Sequence, residues 1–263
     1  MNQSQTPHRL VAVNIGNTNL SFALFEGREM LWSRWMPVEQ ADRAGEVIAR
    51  QKEVTDIVVA SVNPACTRRV SAAYRRIVHR AIITIGKEVP VPIIVLTDEP
   101  ERVGADRLLN ALAAYSRCKP RSNELERGKG PAVVVDVGTA ITFDIVSRRG
   151  EFLGGLIAPG MRISALALGQ YTALLPKVTI KRPHGLFGKN TEEAIRSGIY
   201  WGAVGMISGV TALLRKRLGE NTSLFLTGGG APFLASHLPR EITYVPHLTL
   251  EGILHAYEAC IPR

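Results

Sequence analysis

The chain has 263 residues, of which 46% are hydrophobic and 21% are charged, and its formal net charge is +9. This balance excludes a disordered chain and an ordinary membrane protein, and it suits one large domain or two of about 100–150 residues. The three cysteines, Cys66, Cys118 and Cys260, are far apart and form no Cys-x-x-Cys motif. They indicate neither a disulfide framework nor a zinc site, and they suit a reducing cytoplasm.

A sequence pI near 9.8 favours acidic partners such as nucleic acid, an acidic membrane surface or phosphorylated small molecules. The basic residues, however, are spread along the chain in short groups such as Arg68-Arg69, Arg75-Arg76 and Arg215-Lys216-Arg217. There is no long basic tail and no aromatic-basic recognition motif. We therefore expect mostly solvated helix and loop faces and no membrane partner, and the spread of the charge disfavours a nucleic-acid partner.

Residues 1–9 are polar and lack the apolar core of a signal peptide, so we expect a short disordered extension there. Residues 11–27 follow with an apolar run, Asn14, a glycine turn at Gly16 and a second apolar run. This pattern predicts a strand, a turn and a strand.

Strands and helices alternate over the next segments, which predicts an α/β fold. The expected elements are a helix over 39–52, a strand over 56–62, a helix over 67–82, a short buried strand over 93–96 and a helix over 104–115.

Asp106 lies in the first turn of the last of these helices. An acid at that place commonly caps the helix or interacts with its macrodipole. It could equally act as a general base in a cleft between two halves, and the spacing alone does not choose between the two roles.

A polar segment over 119–130 is expected to link an N-terminal half, residues 10–118, to a C-terminal half, residues 131–263. The second half opens with a hairpin over 133–146 that repeats the first, with Asp136 and Gly138 where the first has Asn14 and Gly16. Either copy alone is an ordinary hairpin with a glycine turn. The duplication predicts two related halves facing a cleft, with anion-binding backbone at the turns.

Three further features follow in the second half. Asn190 and Glu193 have capping-box spacing at the start of a long apolar helix, which is too short for a membrane span and is expected to be buried. Its glycines at 198, 202, 205 and 209 would let another backbone approach, in the core or at a subunit interface. A strand then leads into Gly228-Gly229-Gly230, a backbone pattern suited to phosphate or nucleoside, and a last helix covers 248–257.

Taken together, six motifs resemble those of type III pantothenate kinases, in the same order and over nearly the whole chain from Val11. They are Asn14-Ile15-Gly16-Asn17-Thr18, Gly104-Ala105-Asp106-Arg107, Asp136-Val137-Gly138-Thr139, Gly188-Lys189-Asn190-Thr191, Thr227-Gly228-Gly229 and Leu248-Thr249-Leu250-Glu251-Gly252. The resemblance implies two actin-like, ribonuclease H-like halves, each a mixed sheet flanked by helices, with a cleft between them. It also implies a homodimer whose active site is shared across the interface.

The resemblance further implies ATP-dependent phosphorylation of pantothenate, the first step of coenzyme A biosynthesis, with Mg²⁺ and a monovalent cation, K⁺ or NH₄⁺. Asp106 would be the catalytic base and Asp136 would hold the monovalent cation. The implied substrate residues are Thr97, Gly104, Ala105, Asp106, Arg107 and Thr191. The implied ATP residues are Asn14, Ile15, Gly16, Asn17, Thr18, Asn19, Leu20, Ser21, Gly138, Thr139, Gly228 and Gly229.

The sequence departs from the family pattern at two of these positions. The first motif normally begins with Asp, whereas this chain has Asn14, which removes a negative charge that would help to hold Mg²⁺. Thr97 stands near the place of a family tyrosine in the pantothenate pocket. The main hypothesis is a pantothenate kinase. One alternative is a catalytically impaired or non-catalytic relative that binds nucleotide or pantothenate in a regulatory role and acts through protein or nucleic-acid contacts; another is a kinase of a different small hydroxylated substrate.

Overall fold

The computed structural model describes residues 8–51, 53–118 and 129–261. These residues form two compact units. The first unit takes the described residues up to Ile93, Glu99–Ala113 and those from Leu248 on, and the second takes Ile94–Asp98 and those between Ala114 and His247. This grouping differs from the predicted halves, because the C-terminal helix packs with the first unit. Most of the predicted extension and linker lies outside the described residues, while Arg9 already belongs to a strand.

The sheet of the first unit has five strands: β1 (Arg9–Ile15), β2 (Asn19–Glu26), β3 (Glu29–Pro37), β4 (Asp56–Ser61) and β5 (Ile83–Thr84). Their order is β3-β2-β1-β4-β5. Strand β1 pairs antiparallel with β2 and parallel with β4. The predicted hairpin is therefore confirmed, and β1 is central to the sheet.

Helices cover both faces of this sheet: α1 (Ala41–Ala49) and α2 (Pro64–Arg75) on one, α3 (Ala105–Arg117) and the last helix, α7 (Leu248–Cys260), on the other. Alternate residues of β1 enter the two cores, with Val11 and Val13 on the α2 side and Leu10 and Ala12 on the α7 side. Because both faces are buried, β1 is apolar almost without interruption.

Two polar or close contacts fix α3 against α7 in the first unit. The Thr249 hydroxyl donates to Oδ1 of the buried Asn110 across 2.7 Å. At Gly252 the backbone lies so close to Leu109 that a Cβ would be 2.7 Å from the Leu109 carbonyl carbon. Together, these two contacts hold α3, the helix that carries Asp106, against α7.

The second unit repeats the arrangement with β6 (Ala132–Val137), β7 (Ala140–Val146), β8 (Phe152–Pro159), β9 (Ser223–Thr227) and β10 (Ile242–Tyr244). The order is β10-β9-β6-β7-β8, and β6 pairs antiparallel with β7 and parallel with β9. In register, Asn14 lies opposite Ser21 and Asp136 opposite Thr142. The predicted duplication is confirmed strand by strand.

Three helices belong to this unit: α4 (Met161–Tyr171), α5 (Thr191–Leu218) and the short α6 (Ala231–Leu234). Helix α5 packs Tyr200, Val204 and Ile207 into one core with Val135 and Leu226. By length and composition α5 could cross a membrane, so the prediction that it is too short for a span is wrong, although one of its faces is packed on the sheet. The expectation of a buried helix is correct for that face only, because Gly198, Gly202, Gly205 and Gly209 are exposed.

Two sequence predictions need correction. Residues 93–96 form no buried strand: Ile94 is 64% and Leu96 is 55% exposed, because the segment only joins the edge of the second sheet through a bridge from Val95 to Phe152. Helix α2 begins at Pro64 rather than 67, since Asn63 caps it by accepting from the Cys66 N–H, and it ends at Arg75, before Ile77 and Val78.

Candidate active site

The first glycine turn joins β1 to β2. The Gly16 N–H donates to the Asn19 carbonyl across 2.9 Å, and a Cβ at Gly16 would lie 3.0 Å from the same oxygen. Asn14, the last polar residue before the turn, pairs with Ser21 on β2 and with Ala60 on β4. The turn therefore presents exposed Asn17 and Asn19 at the end of the central strand.

Asp106 lies at the same edge of the first sheet. Its Oδ1 accepts from the Arg107 N–H across 2.9 Å, and a Cβ at Gly104 would lie 2.6 Å from this oxygen and 3.8 Å from a methyl carbon of Val62. Val62 in turn donates its N–H to the Ile15 carbonyl across 3.0 Å. The carboxylate is thus folded back over Gly104, beside the strand ends where the first glycine turn begins.

In the second unit, the Asp136 carboxylate lies between two glycine turns. Gly228 has a φ of +93°, and a Cβ there would collide with Asp136 Oδ1 and lie 2.6 Å from the Val137 carbonyl oxygen. A Cβ at Gly138 would lie 3.6 Å from Asp136 Oδ1. Residue 228 must therefore be glycine, both for its backbone angle and for its neighbours.

A third connection reaches the same place. Gly160, which precedes α4, donates its N–H to the Thr139 carbonyl across 3.1 Å, and a Cβ at Gly160 would lie 2.5 Å from the Gly138 carbonyl oxygen. Gly230 donates to the Val137 carbonyl across 2.8 Å. Three backbone turns thus converge at one edge of the second sheet, and their glycines leave main chain rather than side chains at the surface of the concavity.

Asp136 has a threonine opposite it on each of the two neighbouring strands. The acid next to one of these threonines, Asp144, was not predicted from the sequence as a site residue. Asp136 pairs with Thr142 on β7 and Thr227 on β9, and the Thr142 hydroxyl donates to Oδ2 of Asp144 across 3.5 Å. Asp144 is fully buried. The sequence did contain a signal for Asp144, namely an acidic residue inside an otherwise apolar strand. Because a buried charge is costly without partners, such a residue indicates a polar site.

The remaining predicted substrate residues of this unit lie on other elements. Thr191 is the first residue of α5, after the predicted cap: Asn190 accepts from the Glu193 N–H across 2.9 Å. The expected reciprocal bond from Glu193 does not form among the described contacts; instead, Arg196 Nη1 lies 2.5 Å from Glu193 Oε1. The Glu193 hydrogen bond raises the pKa of Arg196.

Thr97 lies beside Gly154 of β8, whose Cβ position would be 3.6 Å from the threonine methyl carbon. Its hydroxyl oxygen is buried and has no hydrogen-bond partner among the described residues. A buried hydroxyl without a partner costs about 1–3 kcal/mol, so a ligand that bonds it would gain affinity.

An apolar groove of about 470 Å³ lies between α4 and α5 and reaches Thr191. Its walls include Ile141, Pro159, Met161, Leu168, Ile199 and Met206. Among the described residues, no group of three or more His, Cys, Asp or Glu side chains could hold a metal ion.

Solved structures share this architecture. A putative Baf family transcriptional activator from Campylobacter jejuni superposes with a TM-score of 0.57 at 21% identity, covering 95% of this chain and 98% of that one. Component A of (R)-2-hydroxyglutaryl-CoA dehydratase from Acidaminococcus fermentans superposes with a TM-score of 0.50 at 12% identity, covering 95% and 96%. These likenesses bear on the fold alone. With the paired sheets and glycine turns, they define the class: a protein of the actin-like fold.

Sequence relatives give the family. The family model described as Type III pantothenate kinase matches residues 10–213. A type III pantothenate kinase of Myxococcus xanthus is 36% identical over 260 residues, covering 94% of this chain and 97% of that protein. Another, of Solibacter usitatus, is 35% identical over 265 residues, covering 97% and 98%. The chain belongs to the type III pantothenate kinase family, and it is an ATP-dependent kinase.

The convergence of turns around Asp136 makes a prediction about stability. Gly228→Ala should lower the free energy of unfolding by about 1–3 kcal/mol, because the new methyl group meets a carboxylate and a carbonyl in a backbone conformation that alanine rarely adopts. Gly229→Ala is the matched control, since a Cβ there meets no described atom within 4 Å. Urea unfolding of both variants measures the difference, and an equal loss in both would contradict this account of the turn.

Proposed function

We propose that this chain transfers the γ-phosphoryl group of ATP to the hydroxyl of pantothenate, giving 4'-phosphopantothenate, with Asp106 as the general base. The observation that carries the proposal is the carboxylate of Asp106 held beside the first glycine turn, in a chain that matches the family over nearly its full length. Phosphoryl transfer depends chiefly on alignment and charge stabilisation, so a positioned base and two phosphate-binding turns suffice in principle.

Asp106 would accept the proton of the attacking hydroxyl as the oxygen–phosphorus bond forms and the bond to the leaving ADP breaks. The Arg107 N–H donates to Asp106 Oδ1, which fixes the carboxylate on the first turn of α3. Gly104 supports this position, because any side chain there would displace the carboxylate. The same motif, Gly104 to Arg107, supplies the proposed substrate contacts.

The two glycine turns fit the phosphates of a nucleotide. At Gly228 and Gly160 the main chain comes too close to its neighbours for a side chain, so this part of the concavity in the second unit is lined by backbone. Residues 14–21 would form the first ATP loop, and Gly138, Thr139, Gly228 and Gly229 the second. When bound, ATP supplies the phosphoryl group and Mg²⁺ neutralises the phosphate charge.

Asn14 and Asp136 occupy equivalent places in the two hairpins but differ in charge. We assign Asp136 to the monovalent cation, because its carboxylate lies beside the Gly138 and Gly228 backbone, and K⁺ is bound in proteins by such oxygens. The Asn14 amide offers an oxygen without a charge. Since Mg²⁺ is usually held through carboxylates, the first unit should hold it less tightly than an aspartate at this position would.

The pantothenate pocket is proposed to include Thr97 and Thr191 with the Gly104–Arg107 motif. The buried, unpartnered hydroxyl of Thr97 supports a role in binding a polar substrate group. Threonine is much smaller than the tyrosine that the family has near this position. The substrate group that bonds the Thr97 hydroxyl must therefore extend farther into the pocket. The substrate remains pantothenate in this assignment, in a reshaped pocket.

We also propose a cytoplasmic homodimer formed through the second unit. Large apolar side chains are exposed on β8, α4 and the segment before α5: Ile157 is 66%, Leu166 52%, Leu174 92% and Phe187 76% exposed. A Cβ at Gly198, Gly202, Gly205 or Gly209 would meet no described atom within 4 Å, so these glycines serve no contact in the core. Such an apolar band beside a stripe of small residues suits a second copy of the chain.

The catalytic assignment is tested by coupled ATP turnover with pantothenate, Mg²⁺ and K⁺. Asp106→Asn keeps the shape but removes the base, so kcat should fall by about 10²–10⁴-fold. Asn14→Asp should lower the Mg²⁺ concentration required for half-maximal turnover. Asn63→Asp, which leaves a helix cap intact, is the control and should match the native chain. Native activity in Asp106→Asn would sink the assignment of the base.

The dimer is tested by sedimentation velocity over a range of protein concentrations. The native chain should sediment as a dimer, and Ile157→Asp should shift it to monomer because a charge is costly in an apolar interface. Trp35→Asp is the matched control, since Trp35 is also 66% exposed but lies in the first unit. A monomeric native chain would refute the proposed dimer.

A further inference from the structure

One stretch of the first unit carries a concentrated positive charge. Between Asp56 and Glu88 the chain has no acidic residue, yet it has Arg68, Arg69, Arg75, Arg76 and Arg80, with Lys87 at its end. All five arginines are exposed, and four of them lie on α2 or directly after it. We call these five arginines the α2 basic face.

Helix geometry turns the two arginine pairs into two rows. Arg68 and Arg75 are seven residues apart, as are Arg69 and Arg76, which places the members of each row about 10.5 Å apart on nearly the same side of the helix. The opposite side of α2 is buried through Cys66, Val70, Ala73 and Tyr74. The charge that is spread along the sequence is therefore gathered on one surface.

Neighbouring acids act on the row formed by Arg69 and Arg76, since the charge of Asp42 interacts with both arginines. Arg69 Nη2 lies 2.6 Å from Asp42 Oδ2, and this contact holds the pKa of Asp42 below its usual range. Arg80 donates to the backbone carbonyls of Val54 and Thr55, and no ion pair of the described residues includes it. Among the ion pairs of the described residues, none includes Arg68, Arg75 or Arg76.

A purely structural role explains part of the pattern. Cations in the last turn of a helix interact favourably with its dipole, which accounts for Arg75 and Arg76. Arg68 lies in the N-terminal half of α2, where the dipole offers a cation no such benefit. Its exposed charge, without an ion pair among the described residues, is therefore available to an anionic partner.

We infer that the α2 basic face binds the phosphate backbone of duplex nucleic acid without reading its sequence. The face consists of arginines, and the guanidinium group of arginine binds phosphate through two parallel hydrogen bonds. A duplex carries about one negative charge per 1.7 Å of its axis, so a row of arginines is attracted to it whatever the base sequence. This activity is separate from the kinase reaction and goes beyond it.

Other anionic partners suit the face less well. Single-stranded nucleic acid is usually held by exposed aromatic side chains, and the aromatic residue of α2, Tyr74, is buried. An acidic membrane would normally take up several apolar side chains beside the charges. Along the stretch from Pro64 to Arg80, Ile77 is the exposed large apolar residue, at 46%.

The test is fluorescence anisotropy of a short labelled duplex titrated with the full chain. If three to five phosphates are contacted, the plot of log K against log salt should have a slope of about −3 to −4.5. Affinity should then fall roughly 50- to 500-fold between about 50 and 200 mM salt. Absence of binding by the native chain at about 50 mM salt would overturn the inference.

Two charge-reversal pairs locate the contact. Arg68→Glu/Arg75→Glu should weaken binding at least about tenfold and make the salt slope shallower by about 1.8. Lys216→Glu/Arg217→Glu removes the same charge from exposed positions at the end of α5 and should change affinity less than about threefold. Equal losses in the two pairs would contradict the assignment, as would binding to phosphatidylserine vesicles without binding to the duplex. Unchanged kinase turnover in the Arg68/Arg75 variant verifies that it is folded.

Discussion

The structure of the second unit depends on one close contact, between the carboxylate of Asp136 and the backbone of Gly228. Asp136 is the penultimate residue of the central strand β6, and Gly228 directly follows the neighbouring parallel strand β9. Because residue 228 has no side chain and a φ of +93°, the chain can turn directly past the carboxylate into Gly230, which bonds back to Val137. The remaining turns, at Gly138 and Gly160, close on the same place, so the acid and three main-chain turns form one concave site.

The first unit uses the same plan with different chemistry. The penultimate residue of its central strand is also polar, but it is the neutral Asn14, and the acid of this edge is Asp106 on α3. The duplication therefore supplies two glycine turns, which we propose bind phosphate, and the copies differ in the residue before the turn. In this proposal Asp106 accepts a proton and Asp136 holds a cation.

Much of this was predictable from the sequence, because hairpins with a glycine turn and continuous β-branched runs have strong local signals. The paired strands around Gly16 and Gly138, the cap at Asn190 and the place of Asp106 on a first helical turn follow from such signals. Burial was harder to predict, since it depends on distant parts of the chain. The apolar residues 93–96 lie at a sheet edge, the glycines of α5 face outward, and the buried Asp144 went unnoticed. From the sequence, the arginine pairs of α2 were predicted to be scattered. Their common surface becomes visible only when the residues are placed on the helix.

The central claim is that Asp136, held between the glycine turns, binds the monovalent cation needed for phosphoryl transfer. The most direct measurement is pantothenate-dependent ATP turnover as a function of K⁺ concentration, with ionic strength kept constant, for the native chain and Asp136→Asn. The account predicts that K⁺ stimulates the native chain and that Asp136→Asn loses this stimulation while its urea unfolding midpoint shows that it is folded. Equal K⁺ stimulation in the two proteins, or a native chain indifferent to K⁺, would contradict it.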